Sequence, residues 1–107
     1  MDIKEFEKKM SMNNMALQQV KKLAKQLKPN NVDVGVSTAF TVDFRLEWGK
    51  GWQGDSLDIK VESWGSNKRI DVYASGEKTH YIRMTLTPAN INKIYSAGIK
   101  AYKEMNR

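Results

Sequence analysis

His80 is the only histidine in this chain and there is no cysteine, which confines the chemistry the sequence can perform. Without thiols there is neither a cysteine nucleophile nor a thiolate metal site. A metal-independent ribonuclease would need a base, a phosphate clamp and an acid, and Glu62, Arg83 and His80 are residues of those types. Strand alternation, however, directs Glu62 and Arg83 to one face and His80 to the other, so a ribonuclease is the minor alternative. No metal-ligand spacing or phosphate-binding glycine pattern is found, and the expectation is a non-catalytic protein with no cofactor.

Three constellations suit binding. The first is a pair of lysine stripes: Lys21, Lys22, Lys25 and Lys28 on one predicted helix, and Lys93, Lys100, Lys103 and Arg107 on another. Such stripes suit a phosphate backbone or an acidic protein surface. Solvation and the attraction of cations to helix C-termini would explain each stripe singly, but not why both lack balancing acids. The second is the loop from Trp48 to Asp55, with three glycines in eight residues and with Lys50 and Trp52 at its tip. It reads as a contact loop, or as a tryptophan folded back on the sheet edge. The third is a secondary surface on which Trp64, Arg69, Tyr73, Tyr81 and Arg83 share one sheet face. Rings for stacking and cations for phosphates hold single strands in this way, although Asp58, Glu62 and Asp71 on the same face can neutralise the cations.

These residues need elements to position them. From Asp2 to Lys28, Ile3, Phe6, Met10, Leu17, Val20, Ala24 and Leu27 recur at spacings of three and four, with Asn13 interrupting the series, which predicts one long amphipathic helix. Pro29 ends it, and the weak helix formers of Ser11 to Asn14 offer a place for a kink. The period then becomes two. Val32, Val34, Val36, Phe40, Val42, Phe44, Leu46 and Trp48 alternate with polar or small residues, predicting a buried sheet face. A single strand of that length would span roughly 55 Å, so a bend, bulge or turn is expected near Gly35 to Ala39.

Three more strands follow, with Leu57, Ile59 and Val61, then Ile70, Val72 and Ala74, then Ile82, Met84 and Leu86 pointing inward. Cross-strand charges suggest the registers Leu46 with Leu57, Ser75 with Thr79, and Trp64 with Arg69. Thr87 and Pro88 form the N-cap and first position of a final helix whose stripe is Ile91, Ile94, Tyr95, Gly98, Tyr102 and Met105. The predicted fold is α+β: a long N-terminal helix, a four- or five-stranded antiparallel meander and a C-terminal helix, with both helices on one face of the sheet.

With 107 residues the chain is expected to form one α+β domain, 1–107. The net charge of +6 is unevenly placed. Residues 1–28 carry seven lysines against three acids, and residues 88–107 four basic residues against Glu104. The segment between them has seven basic residues and eight acids. No signal peptide or membrane-spanning stretch is read in the sequence, and a cytoplasmic protein is expected. The leading functional expectation is a small basic binding protein that meets nucleic acid or a nucleoprotein complex through its lysine-rich helix faces. The alternative is a protein-binding inhibitor, immunity-type or regulatory partner, for example an inhibitor of a nucleic-acid enzyme. Monomer and homodimer both remain open, the latter through the heptad-like first helix with Asn13 at a core-type position.

Overall fold

The stretch of two-residue period resolves into strands in a computed structural model that describes residues 3–38, 41–49, 54–64 and 66–106. That description does not extend to the side chains of residues 5–7, 9, 37, 38, 64 and 67. Helix α1 (Ile3–Leu27) is followed by β1 (Asn31–Thr38), β2 (Thr41–Trp48), β3 (Asp55–Trp64), β4 (Asn67–Ser75) and β5 (Thr79–Thr85). A single turn, α2 (Pro88–Ile91), and helix α3 (Ile94–Met105) complete the chain. The strands form one antiparallel sheet in chain order, β1-β2-β3-β4-β5, so the meander has five strands. The long alternating run is two strands, not one bent strand. Lys50, Trp52 and Arg107, together with Phe40, lie outside the described residues.

Opposite charges set the register as expected in two ladders. Leu46 faces Leu57, which sets Arg45 opposite Asp58 and Asp43 opposite Lys60. Ser75 faces Thr79, which sets Asp71 opposite Arg83 and Tyr73 opposite Tyr81. The β3–β4 pairing differs by two residues: Trp64 faces Asn67 and Arg69 faces Glu62. The tighter turn is favoured because it also sets Lys60 opposite Asp71 and keeps every apolar residue on its face.

Both helices cover the same sheet face. The core gathers Phe44, Leu46, Ile59, Val61, Ile70 and Val72 from the strands with Val20 and Leu23 of α1 and Ile94 and Met105 of α3, all but excluded from solvent. Ile82, expected to point inward, is on that face but only half-buried, its strand lying at the sheet edge.

Three expectations about the helices and strands need correction. First, α1 runs through Ser11–Asn14 as uninterrupted helix, and its buried stripe is Ala16, Val20 and Leu23, while Ile3 and Met10, expected in that stripe, are exposed. Second, Val32, Val34 and Val36 do sit on the helix-side face, opposite Leu46, Phe44 and Val42, yet they stay exposed, with an open groove between α1 and Val34 and Val36. Third, the last helix is broken after one turn. Thr87 caps α2 as expected, its Oγ1 accepting from the Asn90 amide at 3.1 Å, but the chain turns at Asn92 and Lys93 before α3 begins. Asparagine at 90 and 92 is a poor helix former, which permits the break. No described helix is long and apolar enough to cross a membrane.

Candidate nucleic-acid interface

The lysine stripes depend on how α1 and α3 lie against each other. Gln19 Oε1 accepts a hydrogen bond from the Tyr95 amide at 3.0 Å, occupying one of the free N–H groups at the start of α3. One turn on, Leu23 meets Gly98 so closely that a Cβ there would stand 2.6 Å from Leu23 Cδ1. At the next turn Trp48 bridges the helices: its indole N–H donates to the Leu27 carbonyl at 2.9 Å, and its ring packs on Tyr102 with centroids 4.9 Å apart. Contacts thus climb both helices together, and the two helices run parallel with their C-termini at one end of the molecule.

This places the lysines side by side. Lys21, Lys22, Lys25 and Lys28 of the first segment and Lys93, Lys100 and Lys103 of the last are all solvent-exposed. Lys22 Nζ lies 4.3 Å above the Tyr95 ring, a cation–π contact that spans the two helices. Among described residues 11–28 and 88–106 these seven lysines face a single carboxylate, Glu104. The negative ends of two parallel helix dipoles accommodate Lys25, Lys28 and Lys103.

Lys28 stands out by its backbone. Its φ is 51°, the left-handed conformation that glycine ordinarily fills, and its amide donates to the Ala24 carbonyl at 2.9 Å to close the helix. The same end anchors the loop that carries Lys50 and Trp52. Trp48 precedes that loop, Asn30 Oδ1 accepts from the Gly49 amide at 2.8 Å, and Asp55 begins the next strand beyond it.

The opposite face of the sheet has a different character. Arg45 donates from Nη1 to both oxygens of Asp58, at 3.1 and 3.0 Å. Arg83 Nε donates to Asp71 Oδ1 at 2.8 Å, and Arg69 lies 3.3 Å from both Glu62 and Asp71. The Arg69 contacts are ion pairs outside hydrogen-bond geometry. Burial raises the Asp58 carboxyl above its usual range, assisted by Asp43 and Glu47 and opposed by Arg45. Burial works in the same direction on Asp71, but hydrogen bonds from Arg83 and Tyr81 and the charge of Arg69 outweigh it and hold that carboxyl low. Tyr73 and Tyr81 pack edge to face, centroids 6.2 Å apart, with the Arg83 guanidinium 5.4 Å from the Tyr81 ring.

The secondary surface is therefore assembled in space, with the Trp64 side chain outside the description, but its arginines are committed to carboxylates. Six described acids on this face, Asp33, Asp43, Glu47, Asp58, Glu62 and Asp71, outnumber Arg45, Lys60, Arg69 and Arg83. His80 pairs with Ala74 on the helix side, on the face opposite Glu62 and Arg83. Sequence reading placed Tyr95 and Tyr102 in the apolar stripe of the last helix and not in the candidate site, and it did not foresee the bridging role of Trp48. The signal available was the concentration of aromatic residues in a helix stripe beside the lysines. Comparisons with protein-family models, with curated proteins and with solved structures returned no match.

Proposed function

We propose that this chain is a non-catalytic binding module for a polyanion, nucleic acid or a nucleoprotein complex, and that the parallel α1/α3 layer is the contact surface. The observation that carries this reading is the division of charge between the two faces. Seven exposed lysines with one carboxylate, Glu104, lie along described residues 11–28 and 88–106, beyond Glu5 and Glu7 in the first turns of α1, while the open sheet face is acidic and its arginines are already paired. A phosphate backbone is attracted to the first surface and repelled by the second. Contact through lysine is electrostatic and tolerant of sequence, with Tyr95 and Tyr102 as rings beside the cations.

A salt titration of binding to short single- and double-stranded oligonucleotides tests the reading. Binding should be strongest at low ionic strength, and replacing Lys21, Lys25 and Lys28 by Gln should lower the salt slope by roughly one per lysine that meets a phosphate. Unchanged thermal stability is expected in that variant, because exposed charges contribute little to folding. Absence of binding at low salt would sink the proposal. The same lysine layer fits an acidic protein surface, such as that of an enzyme acting on nucleic acid, and a specific partner retained after nuclease treatment would point there.

A further inference from the structure

Strand β1 is an edge strand whose only protective features are one charge, Asp33, and a register irregularity confined to its end, between Val36 and Thr38. It has no proline and no lysine, and its helix-side residues are three valines. Val32, Val34 and Val36 are 41%, 55% and 65% exposed, Met10 on the α1 side of the groove is 49% exposed, and Ile3, about two turns nearer the start of α1, is 75% exposed. Together these are five of the seven large apolar side chains that the described residues leave exposed. Between α1 and the strand runs a groove of about 300 Å³ whose lining includes Met10, Asn13, Leu17, Val34, Val36 and Phe44. A contiguous apolar patch beside a free strand edge marks an interaction surface.

Gly35, at the middle of β1, bears on what occupies that surface. A Cβ there would meet nothing closer than Asp43 Cβ at 4.0 Å, and its φ is not positive. The chain's own fold thus does not require glycine at this position. Glycine weakens a strand interior, and one use of it there is to admit the close approach of another backbone.

We propose that a second copy of this chain pairs with β1, strand to strand and antiparallel, about a two-fold axis through Gly35. The strand is self-complementary in that register. Val34 falls opposite Val36 of the second copy, and Gly35 opposite its own equivalent. Asp33, the only charge in the strand, falls opposite Ser37 instead of meeting its own copy. Like charges directly opposite would be destabilising, so this placement favours the register. An axis perpendicular to the sheet keeps both helix layers on one side, so the valines of the two copies close a single apolar strip between two antiparallel α1 helices. The sheet becomes ten-stranded and both lysine layers face the same way. This pairing stands independently of the polyanion reading.

The mass in solution tests it, read by sedimentation equilibrium over a wide concentration range. The expected mass is twice the 12.3 kDa of one chain. Val34→Lys and Val36→Lys place charge on an exposed strand position, so they should keep the circular dichroism of the parent while giving a monomer. Directly opposed residues lie about 4.5–5.5 Å apart, within disulfide reach. In a chain without cysteine, Gly35→Cys should therefore cross-link into a covalent dimer on oxidation, and Thr79→Cys on the opposite edge should not. A monomeric mass at every concentration would overturn the proposal, as would a dimer that persists in Val34→Lys or that cross-links no better through position 35 than through 79.

Discussion

Lys28 adopts a conformation that costs an ordinary residue roughly 1 kcal/mol relative to glycine, and it does so between the last turn of α1 and Pro29. Fixed strain of this kind concentrates where a side chain has a use. Lys28→Gly should raise stability by about 0.5–1 kcal/mol, read as a higher melting temperature, and should weaken oligonucleotide binding at low salt. A variant that melts higher and binds equally well would remove Lys28 from the interface. Asp71 presents the opposite case, a carboxylate held by Arg83 and Arg69. Because its pKa is lower in the fold than the ordinary 3.8, its contribution is fully present above that value and disappears as pH falls through the folded value. Asp58, whose pKa is raised, acts in the other direction, favouring the fold in acid and losing that contribution as pH rises through its own folded value. Asp71→Asn should therefore cost about 1.5 kcal/mol near neutrality. In denaturant titrations at successive pH values, the gap from the parent should close in acid.

Between elements, the contact that fixes the interface is Gly98 on Leu23. In an exposed helix Gly→Ala stabilises. Here Leu23 is fully buried, and moving its methyls clear of a Cβ at 2.6 Å would displace the core packed around them, so Gly98→Ala should cost about 1–3 kcal/mol through overpacking. A neutral or stabilising result in chemical denaturation would mean that the helices are not in close contact. Elements were largely legible in the sequence, because the switch of period from about 3.6 to two marks where helix gives way to strand, and because Arg45/Asp58 and Asp71/Arg83 fix registers by charge. The β3–β4 register was less legible, since two turn lengths both keep the apolar face intact. Alternation also tells which face Val32, Val34 and Val36 occupy but not whether a helix reaches them. For the candidate site, the lysines could be read as exposed stripes, but their convergence could not. It depends on the parallel packing of α1 and α3, which rests on Gly98, Gln19 and Trp48 acting across the whole length of the chain.

On the scale of the whole molecule, strand order equals chain order, so every strand pairs with its immediate successor across a short connection. The helix layer is the reverse: Gln19 and Tyr95 are 76 residues apart and meet directly. These two kinds of contact carry different loop-closure entropies, and so they separate in time. The meander can assemble hairpin by hairpin, from β3 and β4 outward, before the two ends of the chain are brought together. Ile59→Val, at the centre of the sheet, should then slow refolding, whereas Leu23→Ala on α1 should mainly accelerate unfolding. Stopped-flow measurements on both variants check the order, and a refolding rate that falls chiefly for Leu23→Ala would reverse it. The lysine layer, built where the chain ends meet, would on this account be the last part of the protein to form and the first to open.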